Sequence, residues 1–336
     1  MDLKTLTEIN APSGHEQAIR RFLLDELKKL GFAPVLDRMG NVVVVKEGTG
    51  DAPRKRVMVS AHMDEVGLIV TSATEDGYLR IAAAGGIDPR VLVSKRVTVG
   101  DGKLPGVIGA VPIHLQSAAE RKHVLSMDEL LVDIGAKNKD EAERKAPMGT
   151  YISFDTPYVE YGDGFACGKA FDDRVGCLSL LRLLQEELPV DLVACFVSEE
   201  EVGCRGAKGA AFQQEPDIGI VLEGTTCNDL GDVPETAHVC EAGQGVAVSF
   251  MDGASIANRA LFRKALDVAK QENIPHQVKH SVSGGNDGGA IQRAREGVPV
   301  VVLSVPCRYI HSPSSVVKLS DVESQFALVK ALVKAL

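Results

Sequence analysis

The chain has 336 residues, of which 45% are hydrophobic and 25% charged, and its formal net charge is −9 at pH 7. This length favours two domains in a globular protein, and the acidic balance argues against a nucleic-acid partner, which would require a basic face. The first residues lack the apolar stretch of a signal peptide, no segment is apolar enough to span a membrane, and the seven cysteines show no CxxC spacing. We therefore expect a cytoplasmic protein without a disulfide framework or a membrane partner.

The N-terminal part of the chain has the pattern of an α/β domain. Ser13 and Glu16 form a capping-box signature. Apolar residues at helical spacing between positions 19 and 30 then predict a helix that ends at Gly31. Two apolar β runs follow, and the second leads directly into the polar segment SAHMDEVG.

The pattern changes between residues 68 and 160. Short alternating segments such as GYLRIAA, KRVTVG, LLVDIG and TYISFD are separated by Gly, Pro and Asp turns, which predicts a small β-rich domain such as a barrel. Beyond this region, strands and helices alternate again. The simplest interpretation is one discontinuous α/β domain built from residues 1–67 and 161–336, with a β domain inserted at 68–160.

Carboxylates and imidazoles follow four of the predicted strands. Because ligands bind at the carboxyl ends of the strands in an open α/β sheet, we expect these side chains to converge at one edge. They are His62 and Asp64, the run Glu199 to Glu201, Glu223, and His311, joined by Asp172 and Asp173 at the start of a helix.

Each of these groups also has an ordinary structural interpretation: a surface HxD, a solvated glutamate run, or an acidic helix start. The glutamates, however, lie between a buried-strand sequence and a small apolar segment, where uncompensated charge is costly. Two imidazoles with three or four carboxylates suit a pair of divalent ions such as Zn, Co or Mn, roughly 3.5–4 Å apart. One of the adjacent glutamates is then free to act as a base.

The sequence resembles the tetrahedral aminopeptidase family of dinuclear metallopeptidases, which includes glutamyl aminopeptidases and proteins formerly called endoglucanases. The resemblance covers essentially the whole chain. It implies an α/β fold, a zinc-peptidase-like α/β/α sandwich with a mixed, largely parallel central sheet, and a small inserted β-barrel domain. It rests on seven segments in order, namely APSGHE, SAHMDEVGLIV, GKAFDDRVG, SEEEVGCRGA, VLEGTT, SGGNDGGA and RYIHSP.

The resemblance also implies a role for each site residue. One metal is held by His62 and bridged by Asp172 to the second metal, and Glu223 and Glu201 serve opposite metals, with His311 completing the set. Further implied roles are Glu200 as general base, Asp64 as the partner of His62, a cis peptide bond between Asp172 and Asp173, and Gly284, Gly285 and Asp287 as candidate substrate-binding residues.

The sequence departs from the family pattern at three points, and the first two leave the substrate preference open. Ser314 and Ser315 stand where the family often has Glu, Asn286 replaces the Thr of a Gly-Gly-Thr-Asp segment, and Glu223 is Asp in many members. The three consecutive glutamates also leave open whether Glu199 or Glu200 is the base.

The resemblance implies a metalloaminopeptidase that releases N-terminal residues from short peptides. Its cofactors would be two divalent ions per subunit, Zn or Co, with Mn as a further candidate, and its subunits would form dimers that assemble into a dodecamer. The alternatives are a dinuclear deacylase or carboxypeptidase acting on N-acyl substrates, and a non-catalytic assembly protein with an inactive metal site. A glycoside hydrolase with paired carboxylates is a further alternative, but it leaves both imidazoles without a role.

Overall fold

The computed structural model describes residues 2–336. The strands of this part form one eleven-stranded sheet and a closed six-stranded barrel. In chain order they are β1 (Val35–Leu36), β2 (Val42–Lys46), β3 (Arg56–His62), β4 (Gly67–Ala73), β5 (Leu79–Ala84), β6 (Arg96–Val99), β7 (Leu104–Gly109), β8 (Leu131–Asp133), β9 (Tyr151–Phe154), β10 (Val159–Tyr161), β11 (Phe165–Gly168), β12 (Asp191–Val197), β13 (Ile218–Thr226), β14 (Val246–Ser249), β15 (His276–Val278), β16 (Val300–Arg308) and β17 (Ser315–Lys318).

The α-helices vary from 5 to 16 residues in length. In chain order they are α1 (Leu3–Thr7), α2 (Gln17–Lys29), α3 (Lys139–Lys145), α4 (Phe171–Leu183), α5 (Arg205–Gln214), α6 (Arg259–Gln271), α7 (Asp287–Gln292) and α8 (Leu319–Lys334). Across residues 2–336, none of the helices combines the length and apolar character that a bilayer span requires.

The large sheet is parallel at its centre. Strands β12, β3, β13 and β16 lie side by side in parallel, whereas the pairs on both flanks are antiparallel, except for β14 with β15. Flanking pairs such as β1–β2 and β10–β11 are joined by short connections, which only antiparallel strands allow. The predicted mixed α/β sheet is confirmed, and its parallel part is confined mainly to the central strands.

Helices cover both faces of this sheet. Val57 and Val59 of β3 are buried with residues of α1, α2, α4, α6 and α8. Met58, which lies between them, is buried instead with residues of α5 and α7. Successive side chains of a strand point to opposite faces, so this alternation describes an α/β/α sandwich whose central strands are buried on both sides.

The barrel contains strands β4, β5, β8, β7, β6 and β9, all paired antiparallel around their own apolar core. It therefore confirms the predicted small β-barrel. Its strands lie between Gly67 and Phe154, and β10 already pairs with β11 in the large sheet. The predicted domain boundaries, which assign residues 68–160 to the inserted domain, remain a prediction.

The N-terminal capping-box prediction was wrong in its contacts. Helix α2 begins at Gln17 without a side-chain cap, and the Ser13 hydroxyl donates instead to Asp64 Oδ2 at 2.6 Å. The predicted end of the helix is confirmed, because Gly31 follows α2 with a left-handed φ of 86°, a conformation that glycine adopts without a steric penalty.

Candidate active site

The central strands bring the predicted site residues to one edge of the sheet. His62 ends β3 and pairs with Val197, the last residue of β12. Glu223 lies inside β13 rather than after it, paired with Ser304 of β16. The parallel arrangement therefore collects imidazoles and carboxylates at the carboxyl ends of neighbouring strands.

Asp172 lies between two imidazoles. Its Oδ1 is 3.2 Å from Nε2 of His62, and its Oδ2 is 3.5 Å from Nε2 of His311. Each imidazole faces a second carboxylate as well: Glu223 Oε2 lies 3.7 Å from His62 Nε2, and Glu201 Oε2 lies 3.1 Å from His311 Nε2. The five side chains thus form two groups of three donors that share Asp172.

Burial and neighbouring charges shift the pKa values of the side chains in this cluster. Burial raises the pKa of Glu201 to about 8 and that of Glu223 well above its usual range. Burial by itself lowers the pKa of His311, but Asp172 and Glu201 outweigh it and raise the value to about 9. A bound cation would favour the ionised carboxylates, as neighbouring positive charge generally does.

One buried oxygen supports the same conclusion independently. Glu223 Oε1 is buried and has no hydrogen-bond partner, although buried polar atoms are nearly always satisfied. Carboxylate oxygen and imidazole nitrogen are the donors that zinc and similar divalent ions accept. His62, Asp172 and Glu201 offer donor atoms that all lie within 4.8 Å of one another, so these residues fit a metal centre.

Asp173 differs from its neighbour Asp172 in orientation. The peptide bond between them is cis, as the resemblance implied. The Asp173 carboxylate is fully buried and accepts the backbone N–H groups of Gly176 at 2.9 Å and of His62 at 3.2 Å. Because both of its oxygens are occupied, Asp173 holds the end of β3 against the start of α4, and Asp172 remains free to face the imidazoles.

Asp64 orients three of the site residues at once. Its buried carboxylate accepts the backbone N–H groups of Glu200 at 3.1 Å and Glu201 at 3.2 Å, and the Ser13 hydroxyl. Its Oδ1 also lies 3.4 Å from His62 Nδ1. Burial raises the pKa of Asp64, but His62 and Ser13 outweigh this effect and lower it. Asp64 is therefore an ionised acceptor beneath the site.

The adjacent glutamates Glu199 and Glu200 face different surroundings. Glu199 has a left-handed φ of 55°, and its side chain lies 3.3 Å from the Arg205 guanidinium. The Glu200 side chain lines the cavity of the site, where its Oε1 accepts the Cys204 thiol at 3.3 Å. Burial, reinforced by the charge of Asp172, raises the pKa of Glu200. This geometry favours Glu200 over Glu199 as the proton carrier.

A cavity of about 350 Å³ opens onto these residues. Gly284 and Gly285, two of the predicted substrate residues, line it. The third, Asp287, does not line the cavity. It begins α7, is buried, has no hydrogen-bond partner for either carboxylate oxygen, and lies close to Glu200 and Cys204.

Two residues at the site were not identified from the sequence. Cys204 reads as a small buried hydrophobe in a glycine-rich segment, but its thiol contacts Glu200. Lys279 lines the cavity and follows β15, a strand of only three residues. No periodic pattern marks so short a strand, and the only available signal was a lysine shortly before SGGND.

Residues 40–328 match the sequence pattern of the M42 glutamyl aminopeptidases. An α/β/α sandwich with a carboxylate–imidazole cluster at its strand ends is the framework expected of a metal-dependent hydrolase. The chain belongs to the M42 peptidase family and is a peptide hydrolase. Membership implies the use of divalent metal ions.

Relatives align over nearly the whole chain. The lysyl aminopeptidase of Pyrococcus furiosus is 33% identical over 99% of this chain and 96% of its own length. The glutamyl aminopeptidase of Lactococcus lactis subsp. cremoris is 33% identical over 99% of this chain and 95% of its own length. A solved structure of the Pyrococcus horikoshii TET1 peptidase, which can assemble into a tetrahedron or a large octahedral shell, superposes with a TM-score of 0.87. That chain is 33% identical, with 99% of this chain and 98% of that one covered.

The contacts of Asp64 predict that Asp64→Asn lowers metal affinity. An amide would present N–H groups to backbone donors and would no longer orient His62 as an anion does. Loss of such a supporting carboxylate typically costs about 10–100-fold in metal affinity. Competition of the protein with a metal-binding dye measures the effect. Ser13→Ala, which keeps the carboxylate, should change the affinity less, and equal affinity of Asp64→Asn and wild type would contradict the assignment.

Proposed function

We propose that this protein is a dinuclear metal-dependent aminopeptidase that releases N-terminal residues from short peptides. The observation that carries the proposal is the position of Asp172, whose two oxygens face two separate imidazole–carboxylate pairs. A single carboxylate between two donor sets is the arrangement that a bridged pair of ions requires. Membership in the M42 family supports the peptidase activity.

The donor sets suggest how the ions would be held. His62, Asp172 and Glu223 would hold one ion, and Asp172, Glu201 and His311 would hold the other. Nitrogen and carboxylate donors suit Zn or Co, with Mn as a third candidate. When bound, the ions would supply a water molecule of lowered pKa and positive charge beside the scissile carbonyl.

Glu200 would carry the proton in this reaction. It lines the cavity, and its pKa is raised by burial, so it is placed to accept a proton from water and deliver it to the leaving amine. Asp64 fixes the backbone of Glu200 through the N–H contact. The carboxylates of the cavity would favour a protonated α-amino group on the substrate, which would restrict cleavage to the first peptide bond.

Glu200→Gln should therefore lower kcat by about 10²–10⁴-fold, the usual contribution of a general base, and leave the metal content unchanged. Turnover of an aminoacyl-anilide and elemental analysis of the purified protein measure the two quantities. Glu199→Gln is the matched control, since that side chain faces Arg205, and it should retain most of the activity. A wild-type rate in Glu200→Gln would show that another group is the base.

The main alternative is a dinuclear deacylase or carboxypeptidase with the same ligand set. A substrate panel separates the two functions. Metal-depleted enzyme, supplied separately with Zn, Co or Mn, should cleave aminoacyl-anilides with a free amine and leave their N-acetyl counterparts intact. Cleavage confined to the N-acetyl compounds would show that the protein is a deacylase and not an aminopeptidase. The preferred N-terminal residue is not set by membership, because the two equally similar relatives are named for lysyl and glutamyl substrates.

We further propose that the subunits assemble through the barrel, by dimers, into a dodecamer. The Pyrococcus horikoshii relative can assemble into a tetrahedron or a large octahedral shell. In this chain, the segment after β7 contains Val111, Ile113 and Leu115, which are 60%, 68% and 70% exposed. Exposed apolar side chains of this kind often mark subunit contacts. Light scattering should give twelve times the chain mass for wild type and a smaller particle for Ile113→Ser. Ile256→Ser, 61% exposed outside the barrel, should leave the mass unchanged. A monomeric wild type would exclude the assembly.

A further inference from the structure

We propose that Lys279 binds a carboxylate of the substrate inside the active-site cavity. This assignment rests on the proposed aminopeptidase function and adds to it a determinant of substrate choice. Of the described residues that line the cavity, only Lys279 and His311 are basic. Because His311 faces Asp172 and Glu201, Lys279 is the cation of the cavity that remains available to a ligand.

Lys279 is a buried residue with no counter-charge beside it. The residue is 7% exposed, and its Nζ donates to the carbonyl oxygen of Ser283 at 3.2 Å. In the part of the chain that the structure covers, no carboxylate oxygen comes within 4.0 Å of that nitrogen to form an ion pair. A carbonyl satisfies one of the three ammonium donors and does not neutralise the charge.

The other buried lysine shows the contrast. Lys169 is 3% exposed and donates to both carboxylate oxygens of Glu65, at 2.7 and 2.8 Å. Buried charges in proteins are normally paired in this manner, since an unpaired one pays the full desolvation penalty. Lys169 has its partner within the fold, whereas Lys279 borders the cavity, where a ligand can provide the partner.

The rest of the cavity lining is compatible with a bound carboxylate. Thr225, Thr226 and Ser304 contribute polar residues, and Gly284 and Gly285 leave room along the same cavity. The carboxylates of the metal centre would attract the substrate's amino group. The cavity therefore combines an acidic part for the α-amine with a basic group for an acid, and a charge-assisted hydrogen bond to Lys279 would be stronger than a neutral one.

Two substrate carboxylates have the required chemistry. One is the side chain of an acidic N-terminal residue, and the other is the C-terminal carboxylate of a very short peptide. Either one would place a carboxylate against Nζ of Lys279. The two sources can be distinguished by kinetics on two matched pairs of substrates. One pair differs only in the side chain of the N-terminal residue, and the other differs only at the C-terminus.

The first pair is glutamyl- and glutaminyl-p-nitroanilide, which differ only in the side-chain charge. The second is Leu-Gly and Leu-Gly-amide, which differ only at the C-terminus. For metal-loaded wild type we expect kcat/KM to favour the acid by about tenfold or more in one of the pairs, as a hydrogen bond to a charged group would provide. Lys279→Gln should bring this ratio close to one, and Lys279→Arg should retain most of it.

The ratio of kcat/KM for the acidic substrate to that for the neutral one also distinguishes substrate binding by Lys279 from a purely structural role. If Lys279 only held the Ser283 carbonyl, its replacement would slow the acid and the neutral substrate alike and leave their ratio unchanged. Lys270→Gln, at an exposed position on α6, is the control for a lost surface charge and should behave as wild type. Calorimetric titration of metal-loaded protein with glutamate against glutamine, and with Leu-Gly against its amide, covers variants that turn over too slowly.

Unchanged acid-to-neutral ratios in both pairs for folded Lys279→Gln would overturn the assignment. A loss of selectivity in the first pair supports the side chain as the ligand, and a loss in the second supports the C-terminus. If wild type cleaves no free-amine substrate at all, the aminopeptidase function fails instead. The calorimetric comparison of wild type with Lys279→Gln still decides whether Lys279 binds a carboxylate.

Discussion

Burying several carboxylates together is the physical constraint on which the arrangement of this site depends. Asp172, Glu201 and Glu223 meet at one edge of the sheet, where water does little to screen their repulsion and each ionised group pays a desolvation cost. Two imidazoles offset part of this charge, while burial raises the pKa of Glu201 to about 8. Added positive charge at this site would favour the ionised form of these carboxylates. This effect connects the sheet topology to divalent metal use.

The surroundings hold the carboxylates in place before any ion binds. Asp64 receives the backbone N–H groups of Glu200 and Glu201, and the next residue, Glu65, is fixed by the buried ion pair with Lys169. A short segment after β3 thus anchors the loop after β12 and the N-terminal segment together. Such supporting contacts restrict the orientation of ligands and of a base, and catalytic geometry depends on tolerances well below an ångström.

Local sequence pattern predicted the shared edge of the sheet, whereas features that depend on distant contacts were missed. Buried-strand runs ending in His, Asp or Glu indicated that edge, since parallel strands align their carboxyl ends. The partner of Ser13 lies 51 residues away, so a local capping signature could not reveal it. Glu199 and Glu200 were indistinguishable in a run of three, because their directions depend on the left-handed φ of Glu199. Lys279 comes after a strand too short to show any period.

The proposed metal ligands and the proposed substrate-binding lysine lie on different elements of the fold. The proposed ligands His62, Glu201, Glu223 and His311 are carried by the central parallel strands or the segments after them, and a change at any of them would disturb the charge balance of the whole cluster. Lys279 follows the flanking strand β15 and forms no ion pair with that cluster. A substitution there would alter the charge offered to the substrate while the metal centre keeps its donors. Under the proposed roles, the charge that meets the substrate and the charge balance of the metal centre are therefore set by different residues of this chain.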